Sequence, residues 1–117
     1  MEMKTHVSEK DIETYLRDRI KTLGGKAYKL VSPGNDGMPD RMVCLPGEII
    51  FYVETKAPGK TPTPLQRRRH RELRHMGFTV YGKVDSKAKV DRILLFVTGF
   101  ARPTQQDIKN LEMIDVD

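Results

Sequence analysis

Behind Ser8, apolar side chains at Ile12, Tyr15, Leu16, Ile20 and Leu23 recur at helical spacing, with Asp11 in the first turn and Gly24-Gly25 at the end. A stripe opened by a hydroxyl cap and closed by glycine predicts an amphipathic helix laid on a sheet. Residues 26–31 then read as a strand, and two more strands, 41–45 and 49–56, join across Leu45-Pro46-Gly47-Glu48 as a hairpin. Between the first strand and that hairpin, Ser32-Pro33-Gly34-Asn35-Asp36-Gly37 is dense turn chemistry that delivers Asp40 to the start of a strand. Gly34 and Gly37 either supply positive φ angles or let the backbone approach a phosphate closely.

Residues 57–64 are too rich in proline for helix or central strand and predict an exposed loop. Thr63 then caps a helix with Pro64 at its first position, and Leu65, Leu73 and Met76 lie on one side of its wheel with Gln66 turned the same way. A strand at 78–83 follows, then a helix capped by Ser86 that carries Val90, Ile93, Leu94, Phe96 and Val97. Residues 104–117 hold a weaker amphipathic pattern, with Ile108, Leu111, Met113 and Ile114, which could pack on its own domain or on a second subunit. Helices alternating with strands in this way predict an α/β fold with a central mixed sheet flanked by helices.

At 117 residues the chain has room for one hydrophobic core and therefore one domain. Its formal charge of +5 is unevenly spread. Residues 56–75 carry seven Lys or Arg (Lys56, Lys60, Arg67, Arg68, Arg69, Arg71, Arg74) against Glu72, whereas 104–117 carry four acids and one Lys. A basic body of this kind suits a phosphate-bearing partner and salt-sensitive binding. The single cysteine, Cys44, excludes an intrachain disulfide and is expected as a buried thiol in a reducing setting. With no apolar run near the length of a membrane span and no apolar region in the first seven residues, a soluble, unexported protein is expected. His6, His70 and His75 lack zinc spacing with Cys44; His70 could assist proton transfer but is not assigned a role.

The candidate chemistry lies where predicted strands end. Gly37-Met38-Pro39-Asp40 precedes one strand, and the apolar run Ile49-Ile50-Phe51-Tyr52-Val53 closes on Glu54-Thr55-Lys56. Cleaving a phosphodiester calls for a hard cation held by one or two carboxylates, and Asp40 and Glu54 are the candidate ligands. Alternation along a strand points Glu54 and Lys56 together and Thr55 away, so the Lys56 ammonium can serve the same phosphate. The plainer alternative is a surface Glu/Lys pair ending a core strand and an Asp opening a turn. Glu9 and Glu13, one helical turn apart on a flank of the first helix, could each reach a site at the sheet edge.

The ordered set Tyr28-Lys29-x-x-Ser32-Pro33-Gly34-x-x-Gly37-x-Pro39-Asp40-Arg41, then Phe51-x-x-Glu54-x-Lys56-Ala57-Pro58-Gly59 and Gln66, resembles a stand-alone VRR-NUC nuclease domain of the PD-(D/E)xK superfamily. The resemblance covers about residues 8–97 and leaves 98–117 as a C-terminal extension. It implies a restriction-endonuclease-like fold and Mg²⁺- or Mn²⁺-dependent DNA cleavage. It also implies a metal site of Asp40, Glu54, the Thr55 carbonyl and a glutamate of the first helix, for which the distance to the terminating glycine favours Glu13 over Glu9. Lys56 and Gln66 complete the implied catalytic set, and Lys29, Ser32, Arg41, Lys60, Arg67, Arg68 and Arg71 form the expected DNA-binding set. A homodimer acting on branched DNA such as a four-way junction, in the cytoplasm of a bacterium or a phage-infected host, is the further implication. The rival expectation is a non-catalytic DNA-binding module on the same fold.

Overall fold

A computed structural model of the chain describes residues 6–112. Its first helix, α1 (Glu9–Thr22), opens on a capping box in which the Ser8 hydroxyl accepts from the Asp11 amide and the Asp11 carboxylate accepts from the Ser8 amide. Ile12, Leu16 and Ile20 form its fully buried stripe, while Leu23 stays largely exposed beyond the last turn. Strands β1 (Lys26–Lys29), β2 (Arg41–Leu45), β3 (Ile49–Thr55) and β4 (Val80–Val84) follow, with α2 (Pro64–His75) between β3 and β4. The sheet runs in the order β1-β2-β3-β4, antiparallel except for the parallel pair β3 and β4. A parallel neighbour demands a crossover, and α2 supplies it. This mixed sheet with flanking helices is the expected α/β architecture.

Strand ends differ from expectation by a few residues. β1 stops at Lys29, with one further backbone bond from Leu30 to the Asp40 carbonyl, because Ser32-Pro33 turns the chain away. β4 starts at Val80 because Phe78 and Thr79 serve as its lead-in, the Thr79 carbonyl accepting from the Tyr52 amide.

Alternation divides the sheet into two unlike faces. One carries Val43, Leu45, Phe51, Val53, Tyr81 and Val84, which meet Ile12, Leu16 and Ile20 of α1 and Val90, Ile93 and Leu94 of the Ser86-capped helix α3 (Lys87–Val97) in one apolar cluster. The opposite face is covered mainly along β4 by α2, whose Leu73 is buried. Since α2 does not span the sheet, Leu65 and Met76 remain 42% and 66% exposed, contrary to the inward side expected for both. Cys44 lies on this thinner face opposite Lys26 and Ile50, and is half-buried rather than fully enclosed.

A short helix, α4 (Gln105–Asp107), continues into a π-helical stretch, Ile108–Glu112. Its Leu111 is 3% exposed and belongs to the main cluster beside β4, so this segment packs on its own domain. The remaining apolar positions of that pattern, Met113 and Ile114, lie outside the described residues. Among the described residues no helix is long and apolar enough to cross a membrane.

The loop before β2 is seated on α2. Gly37 has φ +87°, and a Cβ there would lie 2.9 Å from Leu65 Cγ and 3.1 Å from the Leu65 backbone. Both the conformation and the space therefore require glycine, and the close neighbour is α2 itself. Arg69 donates from Nε to the Asp36 carbonyl at 2.9 Å and holds the same loop from the helix side.

Candidate active site

Because Arg41 pairs with Val53 in the antiparallel β2/β3 register, the next position back, Asp40, falls beside Glu54. Both acids thus arrive at the same end of the sheet from strands joined only by a hairpin. Asp40 is anchored by Thr55, whose backbone amide and hydroxyl both donate to Asp40 Oδ2, at 3.0 and 2.9 Å. Strict alternation turned Thr55 away. Its hydroxyl nevertheless meets Asp40 across the β2/β3 pair, next to the point where the pairing of β3 with β4 shifts register by one residue.

Lys56 follows Thr55 just past the strand end. Its Nζ lies 3.6 Å from Glu54 Oε2 and donates to Gln66 Oε1 at 2.7 Å. Gln66 occupies the first turn of α2, where the same Oε1 accepts from the Thr63 amide at 2.9 Å as part of the capping box. One residue therefore fixes both the start of the helix and the lysine head. The 57–64 loop is fastened beneath, the Gly59 amide donating to Asp85 Oδ2 at 3.0 Å while Lys89 Nζ pairs with Asp85 Oδ1 at 2.7 Å.

The helix acid at the site is Glu9, in place of the expected Glu13. Glu9, Asp40 and Glu54 each present a carboxylate oxygen, and these three atoms lie within 4.8 Å of one another. Glu13, one turn further along α1, ion-pairs with the Arg41 guanidinium, which also donates to the Ala27 carbonyl at 3.4 Å. The reason is geometric. Glu9 stands in the first turn of α1 within reach of Asp40 and Glu54, whereas Glu13, one turn further on, meets Arg41 at the start of β2. Arg41 is consequently only 8% exposed, so this member of the expected DNA-binding set is turned inward.

The remaining members divide by exposure. Lys29, Lys60, Arg68 and Arg71 are exposed, while Ser32 and Arg67 are half-buried, the Ser32 hydroxyl accepting from Asn35 Nδ2 at 3.1 Å. Arg69 is engaged with Asp36 and Glu72, and Arg74 donates to the Val80 carbonyl at 2.9 Å.

Electrostatics follows from packing acids together out of water. Burial, then the hydrogen bond with Asp40 and the Asp40 charge, push the Glu54 carboxyl up to about 9, against the opposing pull of Lys56. Glu9 is likewise raised, by burial and then by Asp40. His70, fully buried on α2, is pushed down to about 4 by burial first and then by Arg74 and Lys56. Its Nε2 lies 3.9 Å from Glu54 Oε1. Neither ring nitrogen of His70, nor Glu54 Oε1, has a hydrogen-bond partner among the described residues. The sequence signal for His70 was available: it stands four residues after Gln66, one turn along the same helix face.

These donors fit a hard divalent cation. Oxygens bound to one ion at about 2.1 Å lie at most about 4.2 Å apart, and about 3 Å apart when they are neighbours in an octahedron, so the three need to draw together by about 1 to 2 Å to share one. Crowded carboxylates with a buried unpartnered oxygen are what a cation would relieve.

No family model matches the chain. Among curated proteins, "Putative nuclease p44" of Acyrthosiphon pisum secondary endosymbiont phage 1 is 49% identical over 74 residues, which cover 63% of this chain and 80% of that protein. A solved structure described as a VRR_NUC domain matches with a TM-score of 0.69 at 36% identity, over 74% of this chain and 92% of the other. Sequence identity at this level over most of each relative's length, joined to the same restriction-endonuclease-like sheet, means that the chain belongs to the VRR-NUC family of nuclease domains.

Proposed function

We propose that the protein is a divalent-metal-dependent endonuclease that hydrolyses DNA phosphodiester bonds, with Asp40, Glu54 and Glu9 as its acidic ligands. The observation that carries this reading is the convergence of those three carboxylates beside Lys56 at one end of the sheet. A bound Mg²⁺ or Mn²⁺ supplies polarisation of the phosphoryl oxygen and a more acidic attacking water. Thr55 steadies Asp40 through two hydrogen bonds and offers its carbonyl as a further ligand, as the family resemblance implies. The Lys56 ammonium, oriented by Gln66, stands where negative charge develops on the phosphoryl group.

Lys29, Lys60, Arg68 and Arg71 present their charges outward and are proposed to hold the DNA backbone, with half-buried Arg67 and Ser32 at the margin. Cutting both strands of a branched substrate takes two sites, which favours a homodimer with two-fold symmetry acting on four-way junctions. The setting proposed is the cytoplasm of a bacterium or phage-infected host.

The test is a cleavage panel with the purified full chain on supercoiled plasmid, linear duplex and a four-way junction, each with Mg²⁺, Mn²⁺ or EDTA. Junction cleavage leaving 5′-phosphate and 3′-hydroxyl ends is expected with either metal, and none with EDTA. Binding without cleavage under every metal condition would leave only a DNA-binding module and overturn the enzymatic reading.

The arginines of α2 allow a separate check. Replacing Arg68 and Arg71 together by alanine should reduce the slope of log affinity against log salt by about 2, one phosphate contact each. Cleavage at saturating DNA should persist. An unchanged salt slope would remove both from the contact surface.

A further inference from the structure

Resting on the metal-site reading above, we propose that His70 is a positioning residue that holds Glu54 in its cation-binding orientation by donating its Nε2–H to Glu54 Oε1. Both side chains are 1% exposed, and the two atoms face each other at 3.9 Å. Each is also an orphan, since neither Glu54 Oε1 nor either imidazole nitrogen finds another partner among the described residues. Buried polar atoms that stay unpaired are costly, so a site that leaves Glu54 Oε1 and His70 Nε2 unpaired and facing each other is built for a state in which these two pair. A movement of about 1 Å brings the pair to hydrogen-bond range.

The chemistry of the two groups is matched to that state. A carboxylate holding a cation through one oxygen needs a donor on the other, or it rotates freely about its last bond. Oε2 of Glu54 is the oxygen near Lys56, at 3.6 Å, so Oε1 is the one left for a fixed donor. An uncharged imidazole supplies a single N–H on a rigid ring, without adding positive charge beside an incoming cation. His70 is placed for this by α2, which also carries Gln66 one turn earlier. The helix thereby holds Lys56 with one side chain and Glu54 with the next on the same face.

The experiment is a Mn²⁺ titration by calorimetry on the full chain and two variants, with unfolding curves recorded without metal. His70→Phe keeps the bulk and loses the donor, and His70→Gln restores an N–H at comparable reach. Mn²⁺ affinity is expected to fall about tenfold or more in His70→Phe and to recover to within about threefold in His70→Gln. Unchanged affinity in His70→Phe, or equal loss in both variants, would overturn the positioning role while leaving the metal site intact. Failure of the unsubstituted chain to bind Mn²⁺ would overturn the metal site and this role together. Long-range ¹H–¹⁵N spectra of the unsubstituted protein decide the matter even if a variant does not fold. Adding Mg²⁺ should shift the His70 ring signals and reveal a protected Nε2 proton, and signals indifferent to Mg²⁺ overturn the proposal.

Discussion

Glu54→Gln is expected to lower DNA cleavage by about 10³-fold and to abolish measurable Mn²⁺ binding, while the protein remains folded. A metal ligand contributes several kcal/mol of charge stabilisation in the transition state, and about 4 kcal/mol corresponds to that factor. Loss of fold is not expected because Glu54, without metal, is held largely protonated by burial and Asp40 up to about pH 9. An amide in its place is also uncharged and also donates toward Asp40. The pH dependence has a definite sign. A carboxyl whose folded value lies above its ordinary 4.5 contributes stability that is present below that pH and lost as pH rises toward about 9. Metal-free urea unfolding should therefore weaken from about pH 5 to pH 9 in the unsubstituted protein and more gently in Glu54→Gln. The same protonation makes Mn²⁺ compete with a proton, so metal affinity should rise with pH over that window. A variant that cuts within tenfold of the original would show that Glu54 is no ligand.

Lys56→Ala should reduce cleavage by about 10²- to 10³-fold with DNA affinity within about twofold. The asymmetry between the two readouts follows from where the ammonium sits. Lys56 is half-buried between Glu54 Oε2 and Gln66 Oε1, so it is oriented toward the acid cluster rather than spread along the DNA surface. Under the proposed function, the charges exposed on α2 and the loops are expected to set the affinity instead. Single-turnover cleavage and equilibrium binding with Ca²⁺ in place of Mg²⁺ separate the two properties. Equal loss of rate and affinity would make Lys56 a backbone-gripping residue. Gln66→Ala should follow the same pattern more weakly, since Lys56 then loses one partner and keeps the other.

How legible this protein was in its sequence depends on the range of the interaction concerned. Ser8, Thr63 and Ser86 announced three helix starts because capping is settled within four residues. The hairpin brought Asp40 and Glu54 together because antiparallel register is set by the strands and turn that join them. Glu9 and Glu13 could not be separated this way. Both lie on one flank of α1, and the choice depends on how far the helix extends over the sheet and on Glu13 finding Arg41 from another element. The same limit applies to the basic run. Seven cations look alike in sequence, yet Arg69 and Arg74 are turned to backbone carbonyls and Arg68 and Arg71 to solvent.

Sequence alone determined the α/β class, the strand-end acids with their lysine, and the family resemblance that relatives of 49% and 36% identity then established. Those features are written in short-range spacing, where alternation along a strand and periodicity along a helix leave few alternatives. Tertiary structure decided that Glu9 joins Asp40 and Glu54, that the Thr55 hydroxyl meets Asp40 next to a register shift, and that His70 stands unpartnered against Glu54. Each of these depends on the angle and depth at which one element meets another. Such packing is set by the whole core at once, and no local window of the chain contains it.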